Sequence, residues 1–195
     1  MMPVLVITNR GEGRSLLLGN RQLSKRASAY WGPGSAVEFA QRIALEDPSK
    51  FHRVKRIVIP VDAVKCFGPF LLRMYLPDSA TMLPGEEIFL EKVVPTRQMV
   101  RKNKAYVDVS HQEITVRDVP FFYVSFSWLP EARSGDECLT IMGVTRKDSV
   151  EATECVIRTS SFDFQPWNAG RDKDGMPQLL NTFFSVEAEG FAQVS

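Results

Sequence analysis

The apolar positions in the first half of the chain predict two helices and one strand. Apolar residues recur every three or four positions between Ser35 and Glu46, and serine is a common helix cap, so we predict a helix there. A second helical stripe runs from Ala63 to Tyr75, where Gly68-Pro69 would kink or split the helix. Between them, the apolar run from Arg53 to Val61 predicts a strand buried on both faces.

From Gly85 onward the apolar segments are short, rich in β-branched and aromatic residues, and bounded by turn residues. This pattern is typical of strands. Polar loops such as Ala132–Asp136 and Ala169–Gly175 favour hairpins, so neighbouring strands should be antiparallel and form a meander. The predicted strands are Glu86–Val94, Ala105–Val109, Asp118–Trp128, Glu137–Thr145, Thr153–Phe164 and Gln178–Ala188.

Alternation along the aromatic strand places its side chains on two faces, both of which carry apolar groups. Phe122, Val124 and Phe126 share one face, while Phe121 and Tyr123 share the other. Helices followed by a long antiparallel sheet predict an α+β fold, in which a curved sheet is filled by a helix on its concave side.

The first 48 residues are predicted to form a hairpin and a helix, which either precede a domain over residues 49–195 or form an integral part of its fold. Pro3–Ile7 and Ser15–Leu18 read as two strands joined by a turn at Asn9–Gly13. The surplus of arginine and lysine over acidic residues in this segment is also typical of an organelle transit peptide, which remains the alternative.

Charge and cysteine content narrow the class of protein. The 195 residues carry 24 basic and 23 acidic side chains, so the net charge of +1 disfavours a nucleic-acid binder. Apolar content of 44% excludes a disordered chain, and no run of residues is long enough for a transmembrane helix. Three scattered cysteines, Cys66, Cys138 and Cys155, indicate reduced core thiols, so we expect a soluble, cytoplasmic protein.

Known catalytic and cofactor motifs are weak in this sequence. Gly11-Glu12-Gly13 follows a strand but lacks the remaining glycines and lysine of a phosphate loop. His52 and His111 have no ligand-type spacing, so we expect no metal and no cofactor. A basic run at residues 97–104 is compatible with a hairpin tip or with contact to phosphate or an anionic membrane.

Two arginines within apolar strands stand out. Arg117 precedes Asp118 at the start of the aromatic strand, and Arg158 follows Val156-Ile157. A guanidinium in such a setting is costly unless a carboxylate or an anionic ligand pairs with it. Two interpretations are open: an ion pair, for example of Arg158 with Asp118 or Glu154, or contact with a ligand head group inside a cavity.

An ordered set of segments resembles the START (StAR-related lipid-transfer) domain family over roughly residues 50–195. Arg117-Asp118 followed by the aromatic strand resembles the family's central strand pair, and Val156-Ile157-Arg158 resembles a later strand. The segment Leu179–Val186 with Gly190 resembles its last strand. The resemblance implies a helix-grip fold and non-enzymatic binding, transfer or sensing of a lipid or other hydrophobic molecule in an internal cavity, with transient membrane contact.

The resemblance also suggests which residues would contact that ligand. The apolar wall would be formed by Val107, Phe122, Val124, Phe126 and Phe184. Arg117 and Arg158 would bind a polar head group, and Tyr123 would contribute a hydroxyl. If the assignment of strand faces is shifted by one residue, the opposite face lines the cavity, and Phe121 and Phe183 form the wall instead.

The sequence departs from START domains where the family closes its cavity. No long helix follows the last strand before Ser195, so the sequence stops early, the predicted helix at 35–46 replaces that helix, or a partner protein covers the face. The last case defines the alternative function, a protein-interaction or scaffold module with an exposed apolar face. An aromatase/cyclase-like enzyme would have to use Asp108, His111 and Asp163, and we expect no enzyme.

Overall fold

The computed structural model describes residues 13–19, 27–31, 37–61, 68–129, 140–146, 155–159, 163–166, 168–171, 173–181 and 184–191. These residues form sixteen strands and a single 3₁₀ turn, Ser110–Gln112. The strands are β1 (Arg14–Gly19), β2 (Ala27–Trp31), β3 (Val37–Ala44), β4 (Phe51–Pro60), β5 (Phe70–Pro77), β6 (Pro84–Val93), β7 (Val100–Arg101), β8 (Lys104–Asp108), β9 (Thr115–Val116), β10 (Phe121–Trp128), β11 (Thr140–Arg146), β12 (Cys155–Thr159), β13 (Gln165–Pro166), β14 (Asn168–Arg171), β15 (Pro177–Asn181) and β16 (Ser185–Phe191).

The strands are arranged in two large sheets and one small sheet. Sheet I has the order β1-β16-β4-β8-β7, with β9 beside β4, and sheet II has the order β13-β12-β3-β10-β5-β6. Sheet III consists of β14-β15-β11-β2. Within the described part of the chain, every strand pair is antiparallel, as predicted from the loops.

The central strand order is that of a jelly roll. The chain runs from β1 in sheet I to β3 in sheet II, back to β4, and then to the hairpin β5-β6 in sheet II. It returns through β8, crosses to β10, and ends with β16 between β1 and β4. The two four-stranded sheets are therefore β1-β16-β4-β8 and β3-β10-β5-β6. This is the strand order of a jelly roll, a double-sheet fold built from two Greek keys.

The predicted α+β helix-grip fold is wrong, because the described residues contain no α-helix. The predicted helix at 35–46 is instead β3, and residues 70–75 of the second predicted helix belong to β5. Residues 63–67 of that second helix lie outside the described residues. The predicted meander is also wrong, since β10 pairs with β3 and β5, and β16 pairs with β1 and β4.

The strand predictions succeed where apolar and polar residues alternate or where the segment is continuously apolar. β4, β6, β8 and β10 lie within a few residues of their predicted bounds. The last predicted strand is divided into β15 and β16. β12 lies within the strand predicted over Thr153–Phe164, of which residues 153–154 and 160–162 lie outside the described residues. The proposed strand Pro3–Ile7 lies outside the described residues, and the second half of that hairpin corresponds to β1, which pairs with β16.

The predicted boundary at residue 48 is crossed by strand pairing in both large sheets. β1 pairs with β16, and β3 pairs with β10 and β12. Gly19, which ends β1, has a φ of +82°, and a Cβ there would lie 2.7 Å from the carbonyl oxygen of Phe184. A glycine is therefore required where β1 turns away from the start of β16.

The main core lies between sheets I and II. It contains inward side chains from both sheets, and the rings of Phe70 and Phe126 lie 4.6 Å apart between centroids. Alternation along β10 is as predicted, since Phe122, Val124 and Phe126 enter this core. Phe121 and Tyr123 instead join a second cluster on the outer face of sheet II, together with Ala40, Tyr75, Val156 and Phe164.

A buried amide joins the two sheets at the edge of this core. Gln41 on β3 is fully buried, and its Nε2 donates to the carbonyl oxygen of Phe184 at 3.1 Å. Its Oε1 accepts a hydrogen bond from the backbone N–H of the same residue at 2.7 Å. One side chain thus satisfies both backbone groups of Phe184 immediately before β16 begins.

Replacement of Gln41 by leucine should destabilise the protein by about 2–4 kcal/mol, because the N–H and C=O of Phe184 would be left buried without partners. Chemical denaturation of the variant measures this change in free energy of unfolding. Gln98→Leu, at an exposed position in the loop between β6 and β7, is the matched control and should change it little. A Gln41→Leu variant as stable as its control would contradict this role of Gln41.

Aspartates organise three of the turns between strands. Asp78 Oδ1 accepts hydrogen bonds from the backbone N–H groups of Ala80 and Thr81 at 3.1 and 2.8 Å. Asp47 and Asp108 bind the hydroxyl and N–H of Ser49 and Ser110 in the same way. These bonds favour the charged carboxylates and hold the pKa of all three aspartates below the usual range, that of Asp47 at about 2.

The free energy of unfolding should therefore fall in acid, as the carboxylates in these turns become protonated. A pKa lowered by folding contributes stability that is fully present above about pH 4 and is lost as the pH falls through the folded value, near 2 for Asp47. Urea denaturation at a series of pH values between 7 and about 2 measures the loss. Asp78→Ala should show a shallower decline than the wild type, and an unchanged pH profile would contradict the role of its carboxylate.

Candidate functional site

The predicted ligand wall lies in the main core. Val107, Phe122, Val124, Phe126 and Phe184 are all buried to 1% exposure or less, and all five belong to the same cluster between sheets I and II. The structure therefore brings the predicted wall residues together. A lipid among them would have to separate side chains that pack against one another, so lipid binding at this wall stays a prediction.

The three predicted polar contacts do not join that wall. Arg117 follows β9, is about half exposed, and pairs through Nε with Oδ2 of its neighbour Asp118 at 3.3 Å. Arg158 lies on β12 and Tyr123 on β10, both on the outer face of sheet II. Phe121, the alternative wall residue, lies on this outer face, and Phe183 lies outside the described residues.

Arg158 belongs to a polar network around a buried carboxylate. Glu38 on β3 is only 5% exposed, and its Oε2 accepts a hydrogen bond from Arg158 Nη2 at 2.5 Å. Arg73 Nη1 lies 3.2 Å from the same oxygen. Tyr75 donates to Oε1 at 2.8 Å, and the hydroxyl of Ser125 donates to the same oxygen. The predicted ion pair of Arg158 is thus correct in kind, but Glu38 takes the place of Asp118 or Glu154.

The ring of Phe164 packs beside this network. We call it the Glu38 network, and its five side chains are Glu38, Arg73, Tyr75, Ser125 and Arg158. The guanidinium carbon of Arg158 lies 4.5 Å from the ring centre of Phe164. Burial and the nearby Glu38 charge raise the pKa of Tyr75, so its hydroxyl stays a donor. Burial lowers the pKa of Arg158, but the hydrogen bond and charge of Glu38 outweigh it and raise that pKa overall. These groups satisfy one another, which is typical of a structural network.

Arg158→Leu should lower the free energy of unfolding by about 1–3 kcal/mol, because Glu38 would remain buried with one charged partner fewer. Thermal and chemical denaturation measure the change. Arg117→Leu is the matched control, since its ion pair with Asp118 is exposed on both sides, and it should cost less than about 1 kcal/mol. Equal losses for the two variants would contradict a structural role of the Glu38 network.

Chemistry based on metals or thiols finds no support among the described residues. They contain no group of three or more His, Cys, Asp or Glu side chains placed to hold a metal ion. Cys155 is a free, buried thiol, as predicted, and burial raises its pKa well above the usual range, which makes it a poor nucleophile. Cys66 and Cys138 lie outside the described residues. The described part of the chain also has no helix long and apolar enough to cross a membrane.

A small crevice of about 130 Å³ lies between β1 and the loop from β3 to β4. Its lining includes His52, Asp47 and Lys50. Lys50 Nζ and Asp47 Oδ2 form an ion pair at 2.9 Å, so these two charges are already matched. The volume is below the 300–1,000 Å³ of ordinary small-molecule pockets, so the crevice does not accommodate a sizeable ligand.

Sequence reasoning missed the edge of sheet II at β6, which combines a strand edge unpaired within the described residues with exposed apolar side chains. Strand β6 is ten residues long and pairs with β5, and no described strand occupies its other side. Met82, Leu90 and Val94 lie on or beside β6, and they are three of the four large apolar side chains that are exposed in the described residues. The available signal was that Leu90 and Val94 are apolar residues spaced among charged ones.

The loop before β6 is held in one conformation. Asp78 binds the backbone of this loop, as described above. In addition, the Tyr123 hydroxyl donates a hydrogen bond to the carbonyl oxygen of Met82 at 2.9 Å. Met82 has a φ of +60°, an uncommon conformation for a residue with a side chain, and its side chain is 43% exposed. Tyr123, proposed as a ligand contact, therefore anchors the loop that displays Met82.

Comparison with protein-family models, curated proteins and solved structures finds no significant match. These searches neither support nor exclude the resemblance to START domains. The function is therefore inferred from the residues of this chain alone.

Proposed function

We propose that the chain is a non-enzymatic interaction module that binds an extended segment of a partner protein along the free edge of β6. The observation that carries the proposal is that Leu90 on β6, together with Met82 just before the strand and Val94 just after it, is exposed. An open strand edge offers a row of backbone N–H and C=O groups that a further strand can pair with. Exposed apolar side chains on that strand add buried area when the partner binds.

The side chains of β6 indicate the chemistry of the partner. Leu90 is opposite Arg73 on the neighbouring strand and is 51% exposed, so it can cover an apolar side chain of an added strand. Glu86 and Glu87 lie near the start of β6, and Lys92 lies near its end. An antiparallel partner would thus carry an acidic residue near Lys92, an apolar residue near Leu90 and a basic residue near the two glutamates.

The edge is held rigidly enough for such binding. Arg73 connects the Glu38 network to β6, because its Nε lies 3.2 Å from Glu87 Oε2 while its Nη1 lies near Glu38. The anchored loop at Met82 fixes the turn of the β5-β6 hairpin. A preorganised edge loses less conformational entropy on binding than a mobile segment would.

A synthetic strand peptide tests the proposal directly. The probe is a peptide of about eight alternating valine and threonine residues, with aspartates at its N-terminus and lysines at its C-terminus. We expect binding in calorimetry or fluorescence anisotropy, and weaker binding of a control peptide with the charges exchanged. Equal binding of the two peptides, or none, would count against the proposed edge site.

Leu90→Lys should weaken peptide binding about tenfold, or ~1.4 kcal/mol, because it replaces the central apolar contact with a charge that blocks strand addition. Leu17→Lys is the matched control, since Leu17 is an exposed leucine on β1, the edge strand of sheet I. It should leave peptide binding unchanged. Similar losses in both variants would point to a general effect of charge, and self-association of the wild type would identify a second copy as the occupant.

A further inference from the structure

The segment that connects β6 to β8 concentrates positive charge in one part of the chain. From Lys92 to Val107 the chain carries five basic side chains and no acidic one, although its overall net charge is only +1. The basic residues are Lys92, Arg97, Arg101, Lys102 and Lys104. We call residues 92–104 the basic segment. The remaining chain must then be net acidic, so the positive charge is local.

The basic segment presents these cations to solvent at one end of the sandwich. Arg97, Arg101 and Lys102 are exposed, and Lys104 is partly exposed. Strand β7 pairs with β8 through Arg101 and Lys104, and the backbone N–H of Val61 donates to the carbonyl oxygen of Asn103. The hairpin tip is therefore fixed beside the end of β4.

The tip is a tight turn that displays a lysine. Lys102 and Asn103 have φ values of 48° and 58°, the left-handed conformation required at both positions of a two-residue turn of type I′. Asparagine suits such a position, whereas lysine does not. Lysine at the tip is thus unfavourable for the turn, which is consistent with a role for its charge.

An exposed aliphatic side chain adjoins the cations. Val94 is 60% exposed, the largest exposed fraction among the exposed large apolar side chains of the described residues. It directly follows β6 and lies three positions before Arg97. Met99 and Val100, between the cations, instead face the core and anchor the segment.

We propose that the basic segment docks the protein on an anionic lipid membrane, with the cations at the phosphate groups and Val94 at the boundary of the acyl chains. Cations near an anionic bilayer each attract it, and an aliphatic side chain beside them gains by entering the interface. Single-stranded nucleic acid would instead favour exposed aromatic rings for base stacking, and the basic segment contains none. The basic segment shares Lys92 and Val94 with the end of the peptide site on β6, but its cations at positions 97–104 lie beyond that strand, so the membrane proposal does not require peptide binding there.

Vesicle co-sedimentation of the full chain tests the proposal. The probes are vesicles of phosphatidylcholine alone and vesicles containing about one third phosphatidylserine. We expect binding only to the second kind, with a marked loss when salt is raised, because screening weakens attraction beyond roughly 10 Å at 0.1 M salt. Equal binding to both vesicles, or no binding to either, would overturn the proposal.

Two variants identify the surface. Arg101→Gln combined with Lys102→Gln should weaken vesicle binding at least tenfold, since each cation contributes about fivefold. Arg14→Gln combined with Lys173→Gln removes two exposed cations elsewhere and should have little effect. Equal losses in both double variants would overturn the assignment to this segment.

Further measurements separate the remaining explanations. Val94→Ser keeps all charges and should reduce binding several-fold, because it removes the apolar side chain that enters the interface. Circular dichroism checks that the variants fold, and the salt dependence of the wild type tests the electrostatic part without any variant. Tighter binding of a single-stranded oligonucleotide than of phosphatidylserine vesicles would overturn the membrane assignment.

Discussion

The alternation of side chains along β3 and β10 is the constraint on which the rest of this structure depends. The two strands are neighbours in sheet II, and both are covered on both faces. Their inward residues meet sheet I, where Gln41 binds the backbone of Phe184. Their outward residues include Glu38 and Ser125, which meet in the Glu38 network. A shift of one residue in either strand would exchange the two environments.

The two faces of sheet II are stabilised by different interactions. The inner face buries apolar side chains, whose removal from water contributes roughly 25 cal/mol per Å². The outer face buries a carboxylate, which is tolerated because two guanidiniums and two hydroxyls surround it. Arg73 also reaches Glu87 on the edge strand, so this polar face connects the centre of the sheet to the proposed peptide site.

The surfaces proposed for binding lie where the jelly roll leaves the chain least constrained. Strand β6 is at a sheet edge, and the basic segment links the two sheets at one end of the sandwich. The outward-facing side chains there take little part in the core, so exposed leucine, valine and lysine are tolerated without loss of packing. A tightly bound hairpin loop at Asp78 and a fixed turn at Lys102 keep both surfaces in defined positions.

The sequence by itself determined the strands whose pattern is local. Continuous apolar residues in β4 and alternation in β10 predicted both strands and the two faces of β10, and the setting of Arg158 predicted that it needs a carboxylate or an anionic ligand as its partner. Only the tertiary structure decided that β3 and β5 are strands. Ala40 and Ile43 suit a helix stripe as well as a strand, and burial on both faces removes the alternation that distinguishes them.

The partner of Arg158 and the strand order were also beyond the sequence. Glu38 lies 120 positions away and becomes its neighbour only because β12 pairs with β3. The resemblance to START domains rested on the order of strands along the chain, which is compatible with many sheet topologies. Pairing of β1 with β16 and of β3 with β10 joins distant segments through long-range contacts, and no local pattern encodes which distant strand a given edge will meet.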